Sequence, residues 1–387
     1  MGIISAAGQD LSGNLLSLQQ GRSTIGPLRN FPSRYADRLP FGEIKISDET
    51  LRRQAGITAP GVTRTTLLAI PAMKEAISNA GLSESDLRST RTAFINATTV
   101  GGMCLTDELG KDAHRKENGS EYLSSYDCAS VTLFLMKYFG LTGISDTLNT
   151  ACSSSANAIL QGARLIRHGL ADRAIVGGVD SLAKFTINGF NALHILSAEK
   201  SRPFDAGRNG LNLGEAAAFL VIENEKAAAG KKCFAVLSGS CNANDAYHPS
   251  SLSDTGDGPV LAMEGALKSA GLAPGDIQYI NAHGTGTENN DLAESRAMER
   301  VFGTVPLFSS TKPYTGHTLG AAGAVEAVFS MLSIGQQEAY ATLNFTTPMP
   351  DSTLVPLTRT TRMPMQHVMS NSFGFGGNCS ALVFSAC

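Results

Sequence analysis

Short runs rich in β-branched and apolar residues alternate along this chain with amphipathic segments of helix length, and the alternation starts afresh after Lys232. That switch between two periods constrains the fold more than any other feature. Strands joined through helices close into sheets whose faces the helices cover. In the first half, Thr92 to Thr98, Arg173 to Gly178 and Glu215 to Glu223 are predicted as strands, with Ala156 to His168 as a helix. In the second half, Cys233 to Ser240, Ile277 to Ala282 and Ser380 to Phe384 read as strands, while Val260 to Ala270, Leu292 to Val301 and Leu319 to Ile334 read as helices. The fold class is α/β in two halves, residues 1–232 and 233–387. The 40 glycines fall at the ends of apolar runs, so no linker tract divides the halves.

Composition narrows the function. At 387 residues with 42% apolar content the chain can bury a large core. Its 31 Lys plus Arg stand against 34 Asp plus Glu, a formal charge of −3, so neither nucleic acid nor an anionic membrane is expected as the principal partner. The N-terminus lacks a basic leader, and no apolar stretch of about 18 residues is apparent. The seven cysteines include no CxxC pair, which argues against a structural zinc site and against a disulfide framework. A soluble, cytoplasmic protein in a reducing environment is the expectation.

One cysteine stands out by position. In Leu148-Asn-Thr-Ala-Cys-Ser-Ser-Ser-Ala-Asn-Ala-Ile159, Cys152 falls at a strand-to-helix turn, with Ser153 to Ser155 available as caps. Unpaired N–H groups and the positive helix end would stabilise a thiolate and hold an oxyanion. From this stretch alone, a small buried thiol and a nucleophile are equally good readings.

Partners break the tie. Ile280-Asn-Ala-His-Gly-Thr-Gly-Thr287 places His283 at a strand end, and Ser309-Ser-Thr-Lys-Pro-Tyr-Thr-Gly-His317 places a second histidine before a helix of small residues. A single histidine is more often structural than catalytic, but sites in α/β folds gather beyond the carboxyl ends of strands. In Asn371-Ser-Phe-Gly-Phe-Gly-Gly-Asn378, glycines free the backbone around Phe373 and Phe375, as a tight turn or as a movable aromatic gate.

Taken together, TACSSS, RPFDAGRNG, GEAAAFLVIE, NAHGTGTENND, KPYTGHTLGAAGAVEA and NSFGFGGN resemble, in order and spacing over nearly the whole chain, the elongating β-ketoacyl-acyl-carrier-protein synthases and the ketosynthases of polyketide assembly. The resemblance implies a thiolase-like fold, five layers in the order αβαβα built from two similar halves, usually dimeric. It implies acyl chains delivered on the phosphopantetheine arm of an acyl carrier protein, with no cofactor or metal of the enzyme's own. Cys152 would carry the acyl group, and His283 and His317 would stabilise the enolate formed when a malonyl thioester loses CO₂. Lys312 and Glu326 would order the histidines, Phe375 would gate the acyl channel beside Phe373, and Thr285 and Thr287 would hydrogen-bond the pantetheine arm. The partner subunit is expected to be a second copy or a ketosynthase-like homologue.

Departures from the family pattern carry their own expectations. Relatives begin with a valine-rich strand ahead of the segment matching Gly2-Ile-Ile-Ser-Ala-Ala-Gly8, so a strand is expected to be missing or replaced. Ala216 stands where glycine is usual, and Asn378 and Cys379 where Thr-Asn is usual, which puts the bonds that steady the gate in question. Asp291 and Glu294 are read as structural, and His248 as a lesser candidate near the pocket mouth. Arg52, Arg53 and Arg208 are expected to meet an acidic carrier. Two other functions compete: a non-catalytic subunit that sets chain length, and a cysteine hydrolase with a Cys–His pair.

Overall fold

Every residue of Thr92–Ala97 is buried, as are all but the first of Arg173–Asp180. Strands buried on both faces need helices above and below, and that requirement organises the molecule. The structure, a computed structural model, describes residues 1–117, 119, 120 and 122–387. The first sheet contains β1 (Gly2–Ser5), β2 (Thr92–Ala97), β3 (Ser145–Leu148), β4 (Arg173–Asp180) and β5 (Ala216–Glu223), ordered β1-β5-β4-β2-β3. The second contains β6 (Val236–Asn244), β7 (Tyr279–Asn281) and β8 (Leu307–Ser309); after the ribbon of β9 (Glu338–Ala339) and β10 (Thr361–Arg362) come β11 (His367–Phe373) and β12 (Asn378–Ser385). Its order is β6-β12-β11-β7-β8. Each sheet runs antiparallel, antiparallel, parallel, parallel from its first strand, so the halves repeat one topology.

The helices Ser154–Arg167 and Ala322–Gln336 fill the space between the sheets, each packing on strands of both. Arg64–Asn79 and Cys128–Phe139 cover the outer face of the first sheet around Phe94 and Phe219. Asp257–Ala270 and Glu288–Phe302 cover the second around Ile280 and Met369. The result is the expected five-layered αβαβα arrangement of the thiolase-like fold. The two central helices meet where a Cβ on Gly323 would lie 2.7 Å from the backbone nitrogen of Ala156. Close approach there explains the small-residue run after His317, and it draws the Cys152 turn toward the second half.

Element boundaries differ from expectation where tertiary contacts intervene. The first central helix begins at Ser154, two residues early, because serine hydroxyls there bond to neighbouring segments rather than to solvent. The predicted helix Leu319 to Ile334 opens as a 3₁₀ turn, Leu319–Ala321, before becoming α-helical. The strand expected to be missing at the start is supplied by Gly2–Ser5, which pairs with β5 from Phe219 back to Ala216. It is a short edge: four residues against the nine of β6.

Two sequence expectations are overturned. Leu319–Gln336 is, by length and a mean hydropathy of 1.3, an apolar stretch of 18 residues, but 89% of it is buried as a core helix between the sheets. Cys233 and Cys387 form a disulfide, with Cα atoms 6.2 Å apart across a separation of 154 residues. Spacing could not reveal it, because only the return of β12 alongside β6 brings the last residue back to the junction between the halves. Thiol titration of the untreated denatured protein is expected to count five free thiols out of seven, and all seven after reduction. In the chain-entropy view a loop of this length contributes up to about 5 kcal/mol. Cys387→Ser should therefore shift the urea midpoint downward, and an unchanged midpoint would show that the bond constrains nothing.

Candidate active site

Cys152 lies in the turn between β3 and the helix Ser154–Arg167, after Ala151, whose positive φ of 53° sharpens the bend. The serines that follow do not cap this helix. Ser153 Oγ bonds Thr150 O and Asn378 Oδ1, Ser154 Oγ accepts from Thr150 N, and Ser155 Oγ accepts from the Ala324 amide at 2.8 Å. They lash the turn to the gate loop and to the second central helix. The thiol is buried, and burial pushes it up to about 11, against the pull of Lys312 and the Phe375 N–H. Desolvation thus outweighs the charges that favour a thiolate, and burial favours the neutral thiol.

His317 is held by the other half of the molecule. Its N–H donates to Asn212 O at 2.7 Å and its carbonyl accepts from Gly214 N at 2.9 Å, so residues 212–214 grip it like a strand neighbour. A Cβ on Gly214 would lie 2.1 Å from Thr315 O, which is why glycine stands there. So held, His317 Nε2 sits 2.9 Å from Cys152 Sγ. His283, just past β7, presents its ring at right angles to that of His317, centroids 5.5 Å apart. Its backbone N–H and that of Gly284 both donate to Glu294 at 2.8 Å. Both imidazoles lie well below their usual range: burial is the main cause for each, followed by the positive charge of Lys312, with His317 adding to the effect on His283.

Lys312 and Glu326 form a buried ion pair behind the rings. Lys312 Nζ also bonds His283 O and faces His283 Nδ1 at 3.3 Å. An ammonium has no lone pair, so Nδ1 must be the acceptor and the proton of His283 resides on Nε2. Burial raises the Glu326 carboxyl to about 7 even with Lys312 opposing it. His317 Nδ1 has no hydrogen-bond partner among the described residues, so no neighbour fixes its tautomer.

Cys152, His283 and His317 open onto a cavity of about 450 Å³, which Thr285, Thr287, Phe373 and Phe375 also line. The hydroxyls of Thr285 and Thr287 bond each other at 2.8 Å, on the wall of this cavity. Phe373 is buried with its ring 5.7 Å from that of His283, whereas Phe375 is half-buried at the mouth. Gly376 and Gly377 follow Phe375 with φ of 82° and 77°, conformations open chiefly to glycine.

Several residues that sequence reasoning undervalued position this site. Among the described residues, Asp291 and Glu294 form no ion pair with a basic side chain. Asp291 accepts from the amides of Phe204, Thr285 and Gly286, and Glu294 from those of His283 and Gly284, so together they shape the loop carrying His283. Phe190, from Lys184–Ala192, stacks on Phe375 with centroids 6.0 Å apart and planes 15° from parallel; no motif marked it. His248 is exposed, its Nδ1 accepting from Ser250 N, while the neighbouring Pro249 carbonyl holds the Gly376 amide at 2.7 Å. Arg208 donates to the carbonyls of Asp205, Thr287 and Glu288, and Arg52 to those of Ala59 and Val62, so both brace loops; Arg53 is exposed.

The unusual Asn378 is well accommodated. Its Oδ1 accepts from Ser153 Oγ at 2.7 Å, Asn157 Nδ2 at 2.8 Å and Asn242 Nδ2 at 2.7 Å, joining the cysteine turn, its helix and β6 to the gate loop. Asn378→Ala removes an acceptor shared by three donors that each keep another partner, Ser153 Oγ on Thr150 O, Asn157 Nδ2 on Thr150 Oγ1 and Asn242 Nδ2 on Ser380 Oγ, and is expected to cost about 1 kcal/mol by urea denaturation. A variant as stable as the parent would show that water replaces the carboxamide.

Residues 1–228 match the family described as Beta-ketoacyl synthase, N-terminal domain, and residues 234–346 match Beta-ketoacyl synthase, C-terminal domain. The chain is 33% identical over 409 aligned residues to 3-oxoacyl-[acyl-carrier-protein] synthase 2 of Staphylococcus aureus, covering 99% of this chain and 96% of that protein. It is 42% identical over 269 residues to the mitochondrial 3-oxoacyl-[acyl-carrier-protein] synthase of Arabidopsis thaliana, a match spanning 65% of this chain and 58% of the plant protein's length. Among solved structures, the ketosynthase ApeO in complex with its chain length factor ApeC from Xenorhabdus doucetiae superposes with a TM-score of 0.84 at 32% identity, covering 100% of this chain and 96% of that one. A type II polyketide ketosynthase complex with its acyl-carrier protein, AntDE:AntF, superposes with a TM-score of 0.90 at 27% identity, covering 100% and 98%.

Proposed function

The chain belongs to the β-ketoacyl synthase family, and from that premise we propose that it catalyses decarboxylative Claisen condensation of a cysteine-bound acyl chain with a malonyl thioester on an acyl carrier protein, in fatty acid or polyketide elongation. The observation that carries the reading is the convergence of Cys152 Sγ with a ring nitrogen from each of two histidines, the ligand atoms all lying within 4.8 Å of one another. A non-catalytic partner subunit has no use for that convergence.

In the first half-reaction, Cys152 Sγ attacks the acyl thioester carbonyl. The thiol proton passes to His317 Nε2, 2.9 Å away, and on to the leaving pantetheine sulfur. The N–H groups of Cys152 and Phe375 hold the oxyanion, and Phe375 must swing aside to admit the chain. In the second, the malonyl arm occupies the same cavity. Its carboxylate leaves as CO₂ while its thioester oxygen gains charge, which the Nε2–H groups of His283 and His317 receive. Lys312 sets the donor on His283; the unfixed tautomer of His317 lets Nε2 accept in the first step and donate in the second. The enolate then attacks the acyl carbon, and Cys152 departs as a thiolate that takes a proton from solvent by way of His317 Nε2. Lys312 and Glu326 act through His283 as positioning residues, and Thr285 and Thr287 serve the pantetheine arm.

No cofactor of the enzyme's own is required, because the arm arrives on the carrier. The working unit is a dimer, with a second copy or a ketosynthase-like homologue, in a soluble compartment that we take to be the cytoplasm, the Cys233–Cys387 bond being an exception to its reducing environment. Intact-mass analysis after incubation with a panel of acyl-carrier thioesters tests the reading. A single acyl adduct on Cys152, discharged by malonyl-carrier as a chain two carbons longer, is expected. Absence of any adduct across the panel overturns it.

A further inference from the structure

We propose that Cys152, His317 and His283 also form a site for a thiophilic divalent cation, with Zn²⁺ as the type ligand, so that metal and acyl group compete for one sulfur. The inference goes beyond the condensing reaction and rests on the geometry of the three side chains alone.

The residues come from three distant parts of the chain, so no CxxC or HxxxH spacing announces them. In space their ligand atoms lie within 4.8 Å of one another, and all three side chains are buried. A tetrahedral zinc with Zn–N of about 2.0–2.1 Å and Zn–S of about 2.3 Å places its ligands about 3.5 Å apart. Side-chain rotations of about 1 Å therefore close the set. One thiolate with two imidazoles selects Zn²⁺ or Co²⁺ over Mg²⁺ or Ca²⁺, which prefer oxygen. The fourth position faces the cavity, leaving the open coordination seen where zinc is bound by only three protein groups. On binding, the thiol proton leaves to solvent as the S–Zn bond forms, the Nε2 proton of His283 leaves to solvent as Nδ1 takes a proton from the Lys312 ammonium, and no electron changes hands.

The three ligands are not equally ready. His317 has its Nε2 against the sulfur and no partner on Nδ1 among the described residues, so it can carry its proton on Nδ1 and offer a lone pair to the metal. His283 faces the Lys312 ammonium through Nδ1 at 3.3 Å, which keeps its proton on Nε2, the nitrogen a metal would need bare. Lys312, besides serving His283 as a donor, thus makes the third ligand the costliest to engage. The same ammonium that prepares the site for an oxyanion weakens it for a cation. Removing that ammonium should strengthen metal binding while it weakens catalysis.

Co²⁺ titration of the full-length protein tests this by the thiolate-to-cobalt charge-transfer absorption. One equivalent with the intensity of a single thiolate is expected in the parent protein. The band should vanish in Cys152→Ala and in protein whose Cys152 has been alkylated, and His317→Ala should weaken binding at least about tenfold. Lys312→Met should tighten it by about tenfold or more. Independently of any variant, Zn²⁺ should slow iodoacetamide alkylation of Cys152, followed by peptide mass, and a chelator should restore the rate. A charge-transfer band that persists in Cys152→Ala assigns the metal to another thiol and overturns the proposal, as does an alkylation rate indifferent to Zn²⁺. Looser binding in Lys312→Met overturns the role given to that ammonium. Condensing activity enters none of these readouts, so failure of the metal site and failure of the proposed reaction are separable.

Discussion

Cys152→Ala is expected to abolish elongation while leaving malonyl decarboxylation in place. The alanine removes the sulfur that receives the acyl chain, and no other thiol shares the cavity with the two histidines among the described residues. Loss of a covalent nucleophile removes the acyl-enzyme route altogether rather than slowing one step of it. Decarboxylation asks only for a bound malonyl thioester and two N–H donors, which His283 and His317 still supply. The measurement is paired: acyl-carrier product by mass and CO₂ release from malonyl-carrier, in the same preparation. Elongation persisting in the alanine protein would remove Cys152 from the mechanism, and with it the reading of the whole site.

The second large effect is the converse. His283→Ala should leave Cys152 able to take an acyl group from its carrier but lower decarboxylation by roughly 10²–10³, the cost of one oxyanion donor. Acyl transfer depends on His317 and the backbone N–H groups, whereas the enolate oxygen needs both rings. The pH profile adds a check on the same histidines. Burial and then the Lys312 charge lower both imidazoles well below their usual range, so each stays a neutral donor as pH falls through 6.5, the ordinary value. Decarboxylation by Cys152→Ala should therefore show no acid limb near an ordinary histidine pKa. An inflection there, with the rate falling below it, would mean that at least one ring titrates as an exposed imidazole and is not held between Lys312 and the sulfur. The carboxyl of Glu326, raised to about 7, falls in the same range and its protonation breaks the ion pair that holds Lys312 against His283, so the profile is read in Cys152→Ala with and without Glu326→Gln, and only an inflection common to both belongs to a histidine.

Local chemistry made much of this protein legible from its residues in order. Alternating periods announced two α/β halves, since a strand buried on both faces must be apolar throughout and a covering helix cannot be. The TACSSS turn, the strand-end His283 and the glycines around Phe375 each announce a local backbone event, so each could be read where it stood. What they were for became clear only through their combination.

Contacts between distant segments carried no such signal. Whether the thiol is charged depended on how completely it is desolvated, and burial is a property of everything packed around Cys152. The grip of residues 212–214 on His317, the stacking of Phe190 on Phe375 and the carboxamide of Asn378 joining three elements arise where the halves meet. Cys233 and Cys387 lie 154 residues apart and became neighbours only when β12 returned beside β6. Sequence by itself determined the element types and the two-half architecture, because propensity and periodicity act within a few residues. Tertiary structure alone decided charge state, tautomer and distance, because electrostatics in a dry interior is set by whichever groups the fold brings within a few ångströms.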